Sequence, residues 1–258
     1  YSMSSSPAVD GHLQVTVKRV PGGVVSNHLL DSLRAGDAVE ATVPAGVFGL
    51  SDLAGGRDVV AFAAGSGITP VFSIVKAALA TTDRRVRLLY ANRDRESVIF
   101  AAALDDLVAR FPDRIEAVHH LDVDSGFVDA AAVQAFLGGD ASGECFVCGP
   151  GPFMDVVEAT LLDAGVPAER IRVERFTPVA PVEPPEVAEV EVHGPATVTI
   201  ELGGRRTSAE HRPGTTLLQT ARQLGLSPPY SCEAGNCATC MARLVEGTAS
   251  MFVNDALD

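Results

Sequence analysis

A regular alternation of apolar strand-like segments and helical patterns between residues 55 and 175 constrains the fold more than any other feature. The strand-like segments at 58–63, 86–91 and 144–148 are largely apolar and lack the regular polar alternation of a strand with one solvated face. Strands of this type are buried on both faces, as in a parallel sheet with helices on each side. The pattern predicts a doubly wound α/β domain over residues 51–176. Its strands are expected at residues 58–63, 86–91, 115–121, 144–148 and 171–174, and its helices from about residue 69 and over 97–110, 129–137 and 152–164.

A β-rich segment precedes this domain. Residues 13–17 alternate apolar and polar side chains, as in a half-buried strand. Residues 27–33 have the pattern of a short helix, and residues 39–43 predict a second strand. We therefore interpret residues 1–50 as a separate, β-rich domain.

A Pro-rich stretch without periodicity, residues 177–188, separates the α/β domain from the C-terminal part and is typical of an interdomain linker. Within the last domain, residues 189–258, strands at 197–202 and 205–209 flank the Gly203-Gly204 turn as a hairpin. A helix over residues 216–224 and a strand near 242–245 are expected to follow.

Charge and apolar pattern limit the possible partners and the compartment. The net charge of -13 would repel a phosphate backbone, which argues against a nucleic-acid partner. No apolar run approaches the length of a membrane span, and no basic-then-apolar leader opens the sequence, so a cytoplasmic protein without a membrane partner is expected. The acidic surface suits either a basic protein partner or simple solubility.

Three of the five cysteines form the most specific motif of the chain. Cys232, Cys237 and Cys240 have the C-x4-C-x2-C spacing of plant-type 2Fe–2S proteins, in which thiolates hold two irons. Small residues fill the loop and allow backbone amides to approach the sulfurs. A zinc site is the alternative, but zinc favours paired C-x2-C knuckles, and the sequence has no second pair in this region.

A glycine turn follows the first predicted strand of the α/β domain. Gly65 and Gly67 allow the backbone to approach a pyrophosphate, and Thr69-Pro70 opens a helix whose amino end favours an anion. Cys148-Gly149 ends a later strand of the same sheet. Because such sheets bind ligands beyond the carboxyl ends of their strands, both segments predict a nucleotide site. Two ordinary turns are the alternative interpretation.

Two segments near the N-terminus carry little information by themselves. Tyr1-Ser2 begins a serine-rich stretch, and Gly23-Val24-Val25-Ser26 precedes the first predicted helix. From the residues alone they indicate no more than a turn and a helix N-cap.

Taken in order, these motifs resemble the ferredoxin–NADP reductase superfamily, in the branch whose members carry a C-terminal plant-type ferredoxin domain. Within that branch the chain is most similar to reductases of ketosteroid 9α-hydroxylases and of phenylacetate-pathway oxygenases. The resemblance implies part of a flavin-binding β-barrel, a nucleotide-binding domain and part of a β-grasp ferredoxin domain. It covers nearly the whole chain.

The resemblance also implies roles for the N-terminal motifs. Tyr1 would pack against the isoalloxazine ring of the flavin, and the Ser2 hydroxyl would lie near its reactive nitrogen. Gly23, Val24, Val25 and Ser26 would bind the pyrophosphate of FAD, which favours FAD over FMN.

In the α/β domain the resemblance assigns the nicotinamide site. Gly65, Gly67, Thr69 and Pro70 would bind the dinucleotide, with Cys148 and Gly149 beside the nicotinamide. Phe176 would cover the flavin ring. Ser2, Cys148 and Phe176 are thus the expected catalytic residues, and Cys232, Cys237 and Cys240 the metal ligands.

Cofactor preference depends on Arg93, which follows the second strand where a ribose or a 2′-phosphate would lie. A free arginine there can bind phosphate. A solvated arginine, or one paired with Asp94, is the alternative interpretation. NADP-selective relatives add a Lys and a Tyr downstream, whereas residues 97–100 read Ser-Val-Ile-Phe. NADH is therefore favoured over NADPH.

By resemblance the protein is a monomeric reductase that passes electrons from NADH through FAD and a 2Fe–2S cluster to a terminal oxygenase or another redox acceptor protein. A non-enzymatic electron carrier and a zinc-binding interaction module are the alternatives. The sequence is expected to be truncated at both ends. The flavin-phosphate arginine of the family precedes residue 1, and its fourth cluster cysteine would follow roughly thirty residues after Cys240.

Overall fold

The computed structural model describes residues 1–41, 44, 46–50, 56–176, 196–211, 215–229 and 240–251. The chain forms two compact units. The larger comprises Tyr1–Thr42 and Phe48–Thr177, and the smaller comprises Val43–Val47 and Pro178–Asp258. The predicted linker at residues 177–188 lies outside the described residues.

A parallel sheet of five strands in the order β3-β2-β1-β4-β5 forms the centre of the larger unit. Every residue of the interior strands β1 and β4 is buried, as the apolar sequence of β1 and that of β4 after Glu144 predict. β3 lies at an edge of the sheet, where no described strand pairs with its outer side, and several of its residues are exposed. The strands are β1 (Val59–Ala64), β2 (Val86–Asn92), β3 (Ile115–Leu121), β4 (Glu144–Gly149) and β5 (Ile171–Arg175).

Helices cover both faces of this sheet. One face packs against α2 and α3 through a core that includes Val71, Val75 and Leu104, and the other against α5 and α6 through a core that includes Phe136 and Val157. The prediction of a doubly wound α/β domain is therefore confirmed. The helices of this unit are α1 (Val24–Ser32), α2 (Ile68–Thr81), α3 (Ala101–Arg110), α4 (Asp122–Ser125), α5 (Ala130–Leu137) and α6 (Gly151–Asp163).

The helix predicted over residues 97–110 starts later than expected. Arg95–Ser97 is a separate 3-10 turn, and α3 begins only at Ala101. Phe100 has a left-handed backbone with φ 62°, which a continuous right-handed helix excludes. Its ring stacks on Phe72 of α2 at a centroid distance of 4.6 Å, and this contact holds the break in place.

The strands predicted before residue 50 are wrong within the described residues. Residues 13–17 contribute only an isolated bridge between Met3 and Val15, and residues 39–41 form no strand. Alternating polarity produces a strand only where a neighbouring strand accepts its hydrogen bonds. The predicted helix exists as α1, three residues earlier at its start than expected.

The N-terminal segment packs on α2 instead. The Ser73 hydroxyl donates a hydrogen bond of 2.7 Å to the carbonyl of Ser5, and Lys76 pairs with Asp10. Lys76 also lies over the ring of Phe72. These contacts explain why residues 1–42 belong to the same compact unit as the sheet.

The smaller unit contains the predicted hairpin, formed by β6 (Ala196–Leu202) and β7 (Arg205–His211), and the predicted helix, α7 (Leu217–Gln223). Gly203 and Gly204 both have positive φ angles, as a tight two-residue hairpin turn requires. The strand expected near residues 242–245 is wrong. No described strand pairs with this segment, and its backbone adopts no regular structure.

Candidate functional site

The two glycine motifs of the α/β domain meet at the carboxyl edge of the sheet. Gly65–Gly67 forms a 3-10 turn between β1 and α2, and Cys148 and Gly149 end β4, the strand beside β1. A Cβ atom on Gly67 would lie 2.0 Å from the Cys148 carbonyl oxygen and 2.7 Å from the Gly149 nitrogen. Backbone contacts this close require glycine at position 67. The Gly65–Gly67 turn and the end of β4 are therefore held against each other where they border the crevice beyond the strands.

Tyr90 of β2 fixes the first glycine of this turn. Its hydroxyl donates to the Gly65 carbonyl at 3.0 Å and accepts from the Ile99 amide at 3.1 Å. Burial raises the pKa of Tyr90 to about 12, so the phenol remains a neutral donor near pH 7. Gly65 itself has a φ of 53°, which favours glycine.

One positive charge approaches the turn from the N-terminal segment. A Cβ atom on Gly65 would lie 3.2 Å from the Lys18 ammonium nitrogen. An ammonium group beside a glycine turn and the amino end of α2 is suited to a pyrophosphate. Sequence reasoning missed Lys18, because nothing in its local pattern relates it to a turn 47 residues away.

Thr69 and Pro70 occupy the first turn of α2 and are both buried. The Thr69 hydroxyl donates to the Ser66 carbonyl at 2.9 Å, so it holds the shape of the turn. Proline costs no hydrogen bond in the first turn of a helix. The turn therefore fits the dinucleotide-binding role expected of it, with Thr69 and Pro70 in supporting positions.

Cys148 is fully buried, and burial raises the pKa of its thiol, with the charge of Glu174 adding to the rise. The thiol therefore stays neutral and is not a thiolate nucleophile. Cys145, also on β4, is buried as well, and burial raises its thiol pKa to about 11.

Ser2 reaches the same region from the other end of the chain. Its hydroxyl donates a hydrogen bond of 2.6 Å to Glu174, the residue of β5 that is in register with Cys148. Burial raises the pKa of the Glu174 carboxyl, and the Ser2 hydrogen bond opposes that rise. The structure thus brings Ser2, Glu174 and Cys148 together. Glu174 was not expected as a site residue, although its neighbour Phe176 was.

Two exposed aromatic side chains, Tyr1 and Phe176, lie close in sequence to Ser2 and Glu174. The exposed fraction is 66% for Tyr1 and 40% for Phe176. Each therefore has a ring surface available to a planar ligand, as the FAD assignment requires.

The Gly23–Ser26 segment begins α1. Gly23 is the N-cap without a side-chain cap, so the first amides of the helix remain open to an anion. The Ser26 hydroxyl accepts from the Val20 amide at 3.2 Å, and a Cβ on Gly23 would lie 2.6 Å from that hydroxyl. Val24 and Val25 are exposed. This arrangement fits the phosphate groups of FAD.

Arg93 is not free at the end of β2. Its guanidinium Nε lies 2.7 Å from the Asp94 carboxylate, which also accepts from the Ser97 amide at 2.9 Å. The hydrogen bond from Arg93 lowers the pKa of Asp94, so this carboxylate is ionised near pH 7. A 2′-phosphate would have to compete with it for the arginine.

Two of the three predicted cluster ligands, Cys232 and Cys237, lie outside the described residues. Cys240 is described and is partly buried. Within the described ranges no group of three or more His, Cys, Asp or Glu residues could hold a metal. In the same part of the chain no helix is long and apolar enough to cross a bilayer.

Three family models match successive parts of the chain. The oxidoreductase FAD-binding domain matches residues 1–49, and the oxidoreductase NAD-binding domain matches residues 62–159. The 2Fe–2S iron–sulfur cluster binding domain matches residues 200–257. The three matches follow the order of the motif groups in the sequence.

The chain is 41% identical over its whole length to the ferredoxin reductase component of 3-ketosteroid-9-alpha-monooxygenase from Mycolicibacterium smegmatis, of which it covers 74%. It is 34% identical to one of the subunits of the 1,2-phenylacetyl-CoA epoxidase of Escherichia coli, over 96% of the chain and 73% of the relative. Among solved structures, phthalate dioxygenase reductase is similar with a TM-score of 0.61 and 26% identity, over 93% of this chain and 70% of that one.

Proposed function

The chain belongs to the family of flavin- and 2Fe–2S-dependent reductases that includes the ferredoxin reductase components of oxygenases, and from that membership we propose that it delivers electrons from NADH to an oxygenase. The observation that carries the proposal is the hydrogen bond between Ser2 and Glu174. It joins the FAD-binding segment to the sheet edge where Gly67 contacts Cys148. Flavin and nicotinamide would therefore meet at one place.

Different residues at this edge of the sheet would bind the nicotinamide dinucleotide and FAD. The Gly65–Gly67 turn and Lys18 would hold the dinucleotide pyrophosphate, with Cys148 and Gly149 beside the nicotinamide. Tyr1 and Phe176 would pack against the flavin ring, and α1 would hold the FAD phosphates through its amino end. When bound, FAD accepts a hydride from NADH and supplies electrons singly to the 2Fe–2S cluster.

The protein contributes orientation more than acid–base chemistry. Hydride transfer depends on close and well-aligned stacking of the two rings. The Cys148 thiol stays neutral and buried, so it serves as packing beside the nicotinamide and does not add charge there. The Ser2 hydroxyl donates to Glu174, and this pair would present a hydrogen-bonding group to the edge of a bound flavin.

Cys232, Cys237 and Cys240 are proposed as cluster ligands in a ferredoxin domain over residues 189–258. The other proposed boundaries are residues 1–50 for the FAD-binding part, 51–176 for the NAD-binding domain and 177–188 for the linker. The spacing of the cysteines and the 2Fe–2S family match support the cluster assignment.

NADH is proposed as the preferred donor, because Asp94 already pairs with the only arginine proposed to reach a 2′-phosphate, Arg93. We further propose a cytoplasmic monomer. The net charge of -13 would favour docking onto a basic face of the oxygenase and disfavour nucleic acid.

Iron, acid-labile sulfide and zinc analysis, combined with NADH-dependent dye reduction, tests the proposal. The natural, full-length protein is expected to be brown, to contain iron and sulfide, and to reduce dyes with NADH. A brown protein without NADH oxidation would indicate the non-enzymatic carrier. A colourless protein with bound zinc would indicate the interaction module.

A further inference from the structure

A partly buried ion pair joins the N-terminal segment to helix α2. The Lys76 ammonium pairs with the Asp10 carboxylate, which also accepts a hydrogen bond of 2.7 Å from the Ser6 amide. The hydrogen bond from Lys76 lowers the pKa of Asp10, so this carboxylate is ionised near pH 7. The side chains of Lys76 and Asp10 are 11% and 27% exposed. Because water and salt screen such a pair less than an exposed one, it can hold the two segments together.

One side of the pair leads to the residues proposed to contact the flavin. Asp10 belongs to the segment that begins with residues 1–2, the proposed flavin contacts. The Ser73 hydroxyl donates to the Ser5 carbonyl at 2.7 Å and attaches the middle of the same segment to α2. Ser73 and Lys76 are three residues apart, so both project from one face of the helix. The segment is therefore attached to α2 along about one helical turn.

The other side of the pair leads to the turn proposed for the dinucleotide. The Lys76 ammonium lies 4.9 Å from the ring centroid of Phe72, which stacks on Phe100 at 4.6 Å. Phe100 follows the residue whose amide donates to the Tyr90 hydroxyl, and this hydroxyl donates to the Gly65 carbonyl. Helix α2 itself begins directly after the glycine turn. The flavin segment and the dinucleotide turn thus belong to one continuous set of contacts.

We propose that Lys76 is a positioning residue for the transfer of a hydride from NADH to FAD, which yields NAD⁺ and reduced FAD. Its ion pair with Asp10 holds the flavin-contacting segment on α2, at the distance from the dinucleotide turn that the transfer requires. The inference rests on the proposed function. Hydride transfer depends steeply on the distance and alignment of the two rings, so a small displacement of this segment affects the rate more than the affinity for either cofactor.

Stopped-flow reduction of the natural, full-length, FAD-loaded protein by NADH tests the proposal with Lys76→Met, which removes the charge and keeps an apolar stem over Phe72. The limiting rate of flavin reduction should fall about tenfold, a part of the roughly hundredfold loss that misplacement by about 1 Å causes. The FAD content and the calorimetric dissociation constant of NAD⁺ should not change. Hydrogen–deuterium exchange of residues 4–10 should become faster, because the segment has lost one attachment.

Two further variants distinguish positioning from a general loss of stability. Lys76→Arg keeps the charge and should restore most of the wild-type rate, whereas Asp10→Asn should lose as much as Lys76→Met. The double variant Asp10→Asn/Lys76→Met should be no slower than either single variant, because both changes remove the same pair. Asp10→Asn keeps an oxygen for the Ser6 amide and is measured alone if Lys76→Met does not fold.

Arg110→Met is the matched control. Arg110 also pairs with an aspartate, Asp106, and its guanidinium lies 5.5 Å from the ring centroid of Phe111. This pair is 60% and 62% exposed and joins two residues of one helix, so its loss should leave flavin reduction at the wild-type rate.

A folded Lys76→Met or Asp10→Asn variant with the wild-type limiting rate would overturn the inference. A loss confined to NAD⁺ affinity would do the same, as would losses that multiply in the double variant. A wild-type, FAD-loaded protein that NADH does not reduce would instead refute the proposed function itself.

Discussion

Replacing Gly67 with alanine tests whether the contact between the two glycine motifs builds the dinucleotide crevice. The added Cβ would lie 2.0 Å from the Cys148 carbonyl oxygen and 2.4 Å from its carbonyl carbon. Both are backbone atoms of a fully buried strand, so no side chain can rotate away. Ordinary contact begins at 3.4 Å, and the turn and the end of β4 would therefore separate by about 1.4 Å.

This separation has two measurable effects. Overpacking of a rigid region costs about 1–3 kcal/mol, which lowers the melting temperature by roughly 2–12 °C in a domain of this size. Misplacing a reacting group by about 1 Å reduces rates on the order of a hundredfold. We expect Gly67→Ala to lose most of its NADH-dependent flavin reduction in stopped-flow measurements, while its FAD and iron contents stay normal.

Gly11→Ala is the control, because a Cβ at Gly11 meets no atom within 4 Å and its backbone is not left-handed. It should match the wild type in melting temperature and in flavin reduction. A Gly67→Ala variant that folds with normal stability and reduces its flavin at the wild-type rate would refute this role of the Gly67–Cys148 contact.

Three further predictions concern neighbouring residues. Cys148→Ala should slow flavin reduction by NADH in stopped-flow experiments and leave FAD and iron contents unchanged; an unchanged rate would make this thiol purely structural. Burial raises the pKa of Glu174 in the folded protein above its unfolded value of about 4.3. The protonated carboxyl therefore contributes to the stability of the fold at low pH, and this contribution is lost as the pH rises from about 4.3 through the folded-state pKa. Glu174→Gln should therefore flatten this part of the melting-temperature profile, and a parallel profile would contradict it. Asp94→Asn should release Arg93 and raise kcat/KM for NADPH relative to NADH; an unchanged ratio in steady-state kinetics would exclude Asp94 from the selectivity.

The central sheet could be predicted because each of its strands carries its own local apolar pattern, and that pattern recurs along the chain. Uninterrupted apolar segments such as residues 145–148 have one stable environment, the middle of a parallel sheet with both faces covered, and β4 is fully buried. The hairpin around Gly203-Gly204 was equally predictable, since its turn requires two residues with positive φ.

Predictions failed where the structure depends on a partner segment. Residues 13–17 have an alternating pattern, but only Val15 forms a bridge, and the segment is stabilised by contacts with α2. The break before α3 could not be predicted either, because the left-handed Phe100 is held by its stacking on Phe72, a contact between distant residues.

The candidate site likewise contains residues that could be predicted from the sequence and residues that could not. Gly65, Gly67 and Cys148 belong to short motifs that end strands of one sheet, so their proximity followed from topology. Lys18 and Glu174 were missed as site residues because the tertiary structure alone brings the one to Gly65 and the other to Ser2.

Anaerobic mixing of the purified natural, full-length protein with NADH, followed by flavin absorbance and by the EPR signal of the reduced cluster, tests the electron path most directly. Flavin absorbance should fall first, and the EPR signal of a reduced 2Fe–2S cluster should then appear. Cys240→Ser should keep the flavin step and lose the EPR signal. A wild-type protein in which dithionite reduces flavin and cluster but NADH reduces neither would contradict the account.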